Sequence, residues 1–137
     1  MKNYLVLWLV LLVSNFSCIK ENSTSTLVEE RVEVQFDFQT GFEDNSVSVK
    51  IDDKHYFNAI LNSVVSFAGP QASFTTQLFK GDYKLHIQRH HITAQFGDSK
   101  LDSTLMSIGT ADKYWVGFSV YSDSLYIVIQ DSSFFYL

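Results

Sequence analysis

"KYWVGFSVYSDSLYIVIQ", residues 113 to 130, decides the fold. Apolar and polar residues alternate on both sides of Ser122 and Asp123, the period of a half-buried strand. With those two residues as a hairpin turn, Val120 faces Leu125, Phe118 faces Ile127 and Val116 faces Ile129. On the reverse face Ser119 meets Tyr126, Gly117 meets Val128 and Trp115 meets Gln130. A slip of one residue sets Val120 against Tyr126 and Val116 against Gln130, mixing the faces. The unslipped register is therefore expected, in a well-buried hairpin near the sheet centre with Tyr126 leaning over Gly117.

The same period runs upstream. "RVEVQFDF" (31–38) sets Val32, Val34, Phe36 and Phe38 against Glu33, Gln35 and Asp37. "SVSVKI" (46–51) and "DYKLHIQRH" (82–90) alternate likewise, as half-buried antiparallel strands must. Turn-formers at "TGFEDN", "DD", "AGPQ", "KGD", "FGDS", "GTAD" and "SDS" recur every 10 to 16 residues or so, the rhythm of a sandwich or barrel. Pro70 falls in one of these turns, and no helical period follows residue 31. The fold class is all-β: a single antiparallel β-sandwich of seven or eight strands over residues 31–137. In "IDDKHYF" a two-residue and a three-residue turn give Phe57 different partners, and the sequence leaves both open. The terminal "DSSFFYL" is too aromatic to fray and is expected to dock and close the core.

Upstream of the domain, Lys2 precedes nine apolar residues, Leu5 to Val13. That stretch is too short for a membrane-spanning helix, which takes about 20 residues, and has the layout of a secretory signal peptide. Ser17 and Cys18 follow, and Cys18 is the single cysteine of the chain. The junction resembles that of bacterial lipoproteins, in which the cysteine after the cut becomes the lipidated first residue. The resemblance covers residues 1–18 and implies a membrane partner reached through acyl chains on Cys18, in the cell envelope, as an outer-membrane lipoprotein facing periplasm or exterior. Cutting at the same bond by ordinary signal peptidase would instead leave a free thiol. Residues 18–30, polar and Ser/Thr-rich after the cysteine, read as a flexible tether spanning about 20 Å. With one cysteine no intramolecular disulfide can form, so stability has to come from packing.

Without residues 1–17 the formal charge moves from −5 to −6, because Lys2 is lost. An acidic domain has no electrostatic reason to seek nucleic acid, and none is expected as a partner. The histidines, His55, His86, His90 and His91, do not suggest a metal site. On one strand His86 and His90 stand about 13 Å apart, and zinc needs ligand atoms about 2 Å away. The turn carboxylates Glu43, Asp44, Asp52, Asp53, Asp98, Asp112 and Asp123 form no calcium loop, and Asp in turns ordinarily serves the backbone. There is no G-x-S-x-G elbow and no glycine-rich phosphate loop. No cofactor, metal or catalytic residue is expected.

Aromatics are what remains. Eleven of twelve Phe, six of seven Tyr and one of two Trp lie beyond residue 17. In the expected register Trp115 and Tyr121 point outward with Tyr126 near them, a surface suited to sugar rings or a protein partner. "VSVKIDDKHYF" followed by "LFKGDYKLHIQ" is similar to small extracellular modules of the prealbumin-like and immunoglobulin-like kinds, through Gly81, Tyr83, Leu85 and Ile87. That likeness implies a sandwich with an accessory or binding role and brings no catalytic residue. The expectation is a non-catalytic, lipid-anchored module whose ligand is a glycan, peptide or partner protein. The alternatives are a hydrolase or enzyme-accessory domain acting on envelope glycans or peptides, favoured by a cleft that gathers turn carboxylates, and a small outer-membrane barrel.

Overall fold

The computed structural model describes residues 29–62, 69–92 and 98–136. It contains eight strands: β1 (Arg31–Thr40), β2 (Asn45–Ile51), β3 (Lys54–Leu61), β4 (Ala72–Phe79), β5 (Gly81–His91), β6 (Ser99–Ile108), β7 (Lys113–Tyr121) and β8 (Ser124–Gln130). They form two four-stranded sheets, sheet A in the order β4-β1-β7-β8 and sheet B in the order β3-β2-β5-β6. The expected β-sandwich is thus present with eight strands. Cys18 and the stretch before residue 29 lie outside the described residues.

Sheet A is built around β1, which runs antiparallel to β4 and parallel to β7. The parallel pairing matches Glu33 with Lys113, Gln35 with Trp115 and Asp37 with Gly117. Among the described residues it is the one departure from antiparallel order, and strands 80 residues apart in sequence carry no local signal of it. The β7–β8 hairpin has the expected register, from Tyr121 opposite Ser124 to Trp115 opposite Gln130. Ser122 and Asp123 have φ of 47° and 66°, the paired positive angles of the tight turn that suits a hairpin's twist. In the β2–β3 hairpin, Ile51 pairs with Lys54 across a two-residue turn. A bulge then brings Phe57 opposite Val49.

Between the sheets lies an aromatic core. Phe36, Phe38, Phe118, Val34, Val47, Val49, Leu85 and Ile87 are fully buried. Phe36 stacks on Phe74 at 4.5 Å, and Phe38 reaches across to Phe57 of sheet B at 4.5 Å and to Phe118 at 5.0 Å. Ring pairs of this kind each add about 0.5–1.5 kcal/mol beyond area burial.

One glycine is required by close approach. Gly41, in the β1–β2 connection, has φ of 83°, and a Cβ there would collide with the Val120 carbonyl oxygen. Only glycine lets this connection sit against the end of β7.

Replacing Phe38 with alanine is expected to lower the unfolding free energy by about 3–5 kcal/mol in urea titrations. Phe135→Ala, whose ring is 94% exposed, should change it by less than about 0.5 kcal/mol.

Candidate functional site

The outward side of sheet A is where the sequence placed its aromatic residues. Tyr121 and Tyr126 are 57% and 54% exposed and meet edge to face with ring centroids 5.6 Å apart. Trp115 points to the same side but is half-buried, with Lys113 Nζ 5.0 Å from its ring centroid. Lys113 also pairs with Glu33 at 2.5 Å. Gly117 lies between Trp115 and the tyrosine pair, and Tyr126 does not cover it. The Gln39 amide and the ring of Phe134 do: a Cβ built at Gly117 would stand 2.6 Å from Gln39 Nε2 and 2.6 Å from Phe134 Cζ. Gly117 is therefore the floor under a side chain from the C-terminal segment.

That segment, residues 131–136, leaves β8 and folds back over the outer side of sheet A, so it covers the sheet instead of closing the space between sheets. It is seated by Phe134 and Tyr136, while Phe135 between them stays exposed. The Tyr136 hydroxyl donates to Asp37 Oδ2 at 3.0 Å, and Gln35 Nε2 donates to Asp37 Oδ1 at 3.0 Å. Ser119 Oγ donates to Gln39 Oε1 at 3.0 Å. Asp37 is only 1% exposed, although it lies on the outward side of its sheet. Burial, and then the hydrogen bond to the Asp37 carboxylate, push the Tyr136 phenol up to about 12.

A cleft of about 330 Å³ opens at the end of the sandwich where the β1–β2 and β7–β8 turns meet β5 and β6. Its wall includes Glu43, Arg89, Asp98, Lys100 and Asp123. Arg89 is 4% exposed and points inward between the sheets. Its Nε and Nη2 donate to Asp102 Oδ2 at 3.2 and 3.0 Å, and Nη2 also donates to the Asp123 carbonyl at 3.3 Å. The guanidinium thus ties sheet B to the β7–β8 turn of sheet A. Lys100 pairs with the Asp123 carboxylate. On the outer side of sheet B, a groove of about 280 Å³ is lined by Lys50, Asp52, Asp53 and His86. There Asp52 Oδ1 accepts from the Lys84 backbone N–H at 2.8 Å, and His86 Nδ1 is 2.8 Å from Ser103 Oγ. Among the described residues, no three His, Cys, Asp or Glu are grouped to hold a metal ion.

The sequence brought Tyr121 and Tyr126 to notice and set Trp115 on the same side, two residues along β7 from Gly117. It singled out neither Asp37 nor Arg89. The alternation of "RVEVQFDF" put Asp37 outward, and nothing local says that a segment nearly 100 residues later covers it. Continuing the inward row Leu85, Ile87 would have found Arg89.

Compared with known protein families, with curated proteins and with solved structures, the chain matches none.

A raised phenol pKa ties the seat of the C-terminal segment to pH. The neutral phenol is favoured in the folded state, so its contribution is complete below pH about 10 and is lost as pH rises towards about 12. Spectrophotometric titration should show a phenol ionising near 12 in the wild type and absent in Tyr136→Phe. The variant's stability should also fall less steeply between these pH values.

Proposed function

We propose that the protein is a lipid-anchored, non-catalytic binding module of the cell envelope that presents the outer side of sheet A to a glycan, peptide or partner protein. The observation that carries this reading is the exposed Tyr121–Tyr126 edge-to-face pair, on the same side as Trp115 and the 49% exposed Val128. Tyr and Trp bury large areas at small entropic cost, which makes them anchors for sugar rings and protein partners.

Strand direction supports the placement. The tether joins the sandwich at Arg31, and β1 runs parallel to β7, so Tyr121 stands at the far end of β7 from the point where the chain enters. Over the eight residues from Lys113 to Tyr121 that is about 26 Å along the strand. With acyl chains on Cys18, the tyrosine pair and the end cleft would face away from the bilayer. Two or three chains hold durably where one holds only marginally, at about 0.8 kcal/mol per buried CH₂.

A second reading has its own observation. The end cleft gathers the turn carboxylates Glu43, Asp98 and Asp123, as a hydrolase or enzyme-accessory site would. Asp123 is engaged by Lys100, which leaves Glu43 and Asp98 for acid–base work. Glu43→Gln and Asp98→Asn should each abolish any glycan or peptide hydrolysis if this reading holds; turnover that persists in both would remove it.

For the first reading, Tyr121→Ala and Tyr126→Ala are each expected to weaken binding to an envelope glycan or protein partner by about tenfold or more, equivalent to about 1.4 kcal/mol. Binding unchanged in both variants would remove the aromatic face from consideration. For the anchor, the intact mass of the mature protein should exceed that of residues 18–137 by its acyl chains. Cys18→Ser should move the protein from the membrane to the soluble fraction.

A further inference from the structure

We propose that the C-terminal segment is a self-ligand over a carbohydrate site, with Phe134 and Tyr136 standing where two successive sugar rings would lie. This inference rests on the reading that the outer side of sheet A is the binding face, and adds a ligand class and a means of regulation.

Four observations converge. Asp37 is a carboxylate buried on the outward side of a sheet, and its strand neighbours in sheet A, Ser73 and Gly117, are uncharged. A buried carboxylate costs stability unless it is well hydrogen-bonded, and an amide would fill the same space without that cost. What a carboxylate does better is accept a hydrogen bond from a hydroxyl. The Tyr136 hydroxyl is held as donor to the Asp37 carboxylate, as a sugar hydroxyl would be. Gln35 and Ser119 extend the polar lining on either side.

The apolar half of a sugar site is present as well. The tip of the Phe134 ring comes down over Gly117 beside the Gln39 amide, and Trp115 lies two residues along β7 on the same side. The Phe134 and Tyr136 rings stand 6.4 Å apart between centroids and tilted 57° to one another. The segment also sits lightly. Among the described residues, no backbone–backbone hydrogen bond joins residues 131–136 to the sheet. Its grip is made of side chains, and it can lift without breaking a strand ladder.

A seated segment taxes the ligand by the fraction of molecules that are closed, so 90% closure weakens the apparent affinity about tenfold. The test is calorimetric titration of the full chain with chitotetraose and with cellotetraose. Phe134→Ala/Tyr136→Phe should bind one of them about tenfold more tightly than wild type, and Asp37→Asn in that background should reverse the gain. A synthetic peptide of residues 131–137 should compete with the oligosaccharide. Tyr136→Phe alone keeps the ring in place and should give a smaller gain in the same direction, a check that survives if the double variant fails to fold.

Affinity in Phe134→Ala/Tyr136→Phe no greater than wild type would overturn the self-ligand. So would a gain indifferent to Asp37→Asn, or capture of the peptide with no oligosaccharide bound by any form. If Tyr121→Ala and Tyr126→Ala weaken oligosaccharide binding while the double variant matches wild type, the binding face stands and the self-ligand alone falls. If the double variant gains affinity and those tyrosine variants change nothing, the site lies under the segment and the exposed pair is not part of it.

Discussion

The structure depends on β1 being buried on both sides. Inward, Phe36 and Phe38 join the aromatic stack that holds the two sheets together. Outward, Asp37 lies beneath the C-terminal segment. A strand buried on both faces belongs at a sheet centre, and β1 sits there between β4 and β7. The consequence reaches β7, whose residues Val116 to Ser119 are also buried without interruption. Sheet A therefore has a covered central patch and an exposed flank along β8, where Tyr126 and Val128 remain open.

Two buried charges are handled in opposite ways. Arg89 is matched by Asp102 on the neighbouring strand and by a carbonyl of the β7–β8 turn, so its burial ties the two sheets together at the cleft end. Removing one partner from such a pair is far more damaging than the pair itself is stabilising. Asp37 has an amide and a phenol in place of a cation. Surface pairs such as Lys80 with Glu30, at 2.8 Å and largely exposed, contribute little.

Period two made the strands legible, and cross-strand apolar matching settled the β7–β8 register, because a one-residue slip would have exchanged its faces. The β2–β3 turn could not be settled that way. Its bulge places an extra residue between His55 and Phe57 and breaks the alternation on which such matching relies. Phe134 and Tyr136 were recognisable as docked, since a terminus with those residues has apolar area to bury. Their destination was not, because the core space was already taken by Phe36, Phe38 and Phe118, and the remaining place was outside. The misplaced cover for Gly117 has the same origin: a glycine in a strand announces that something approaches closely, and the sequence cannot say which ring arrives.

The positive-φ turns add a last constraint. Asp52 and Gly81 have φ above zero at the Arg31 end of the sandwich, and Gly41, Asp44, Ser122 and Asp123 have it at the opposite end. Outside glycine, such angles cost of order 1 kcal/mol or more each and persist where the surroundings fix them. Here the surroundings are Val120 against Gly41 and Arg89 against Asp123. The same contacts that hold these turns also form the wall of the end cleft and fix the hairpin bearing Tyr121 and Tyr126.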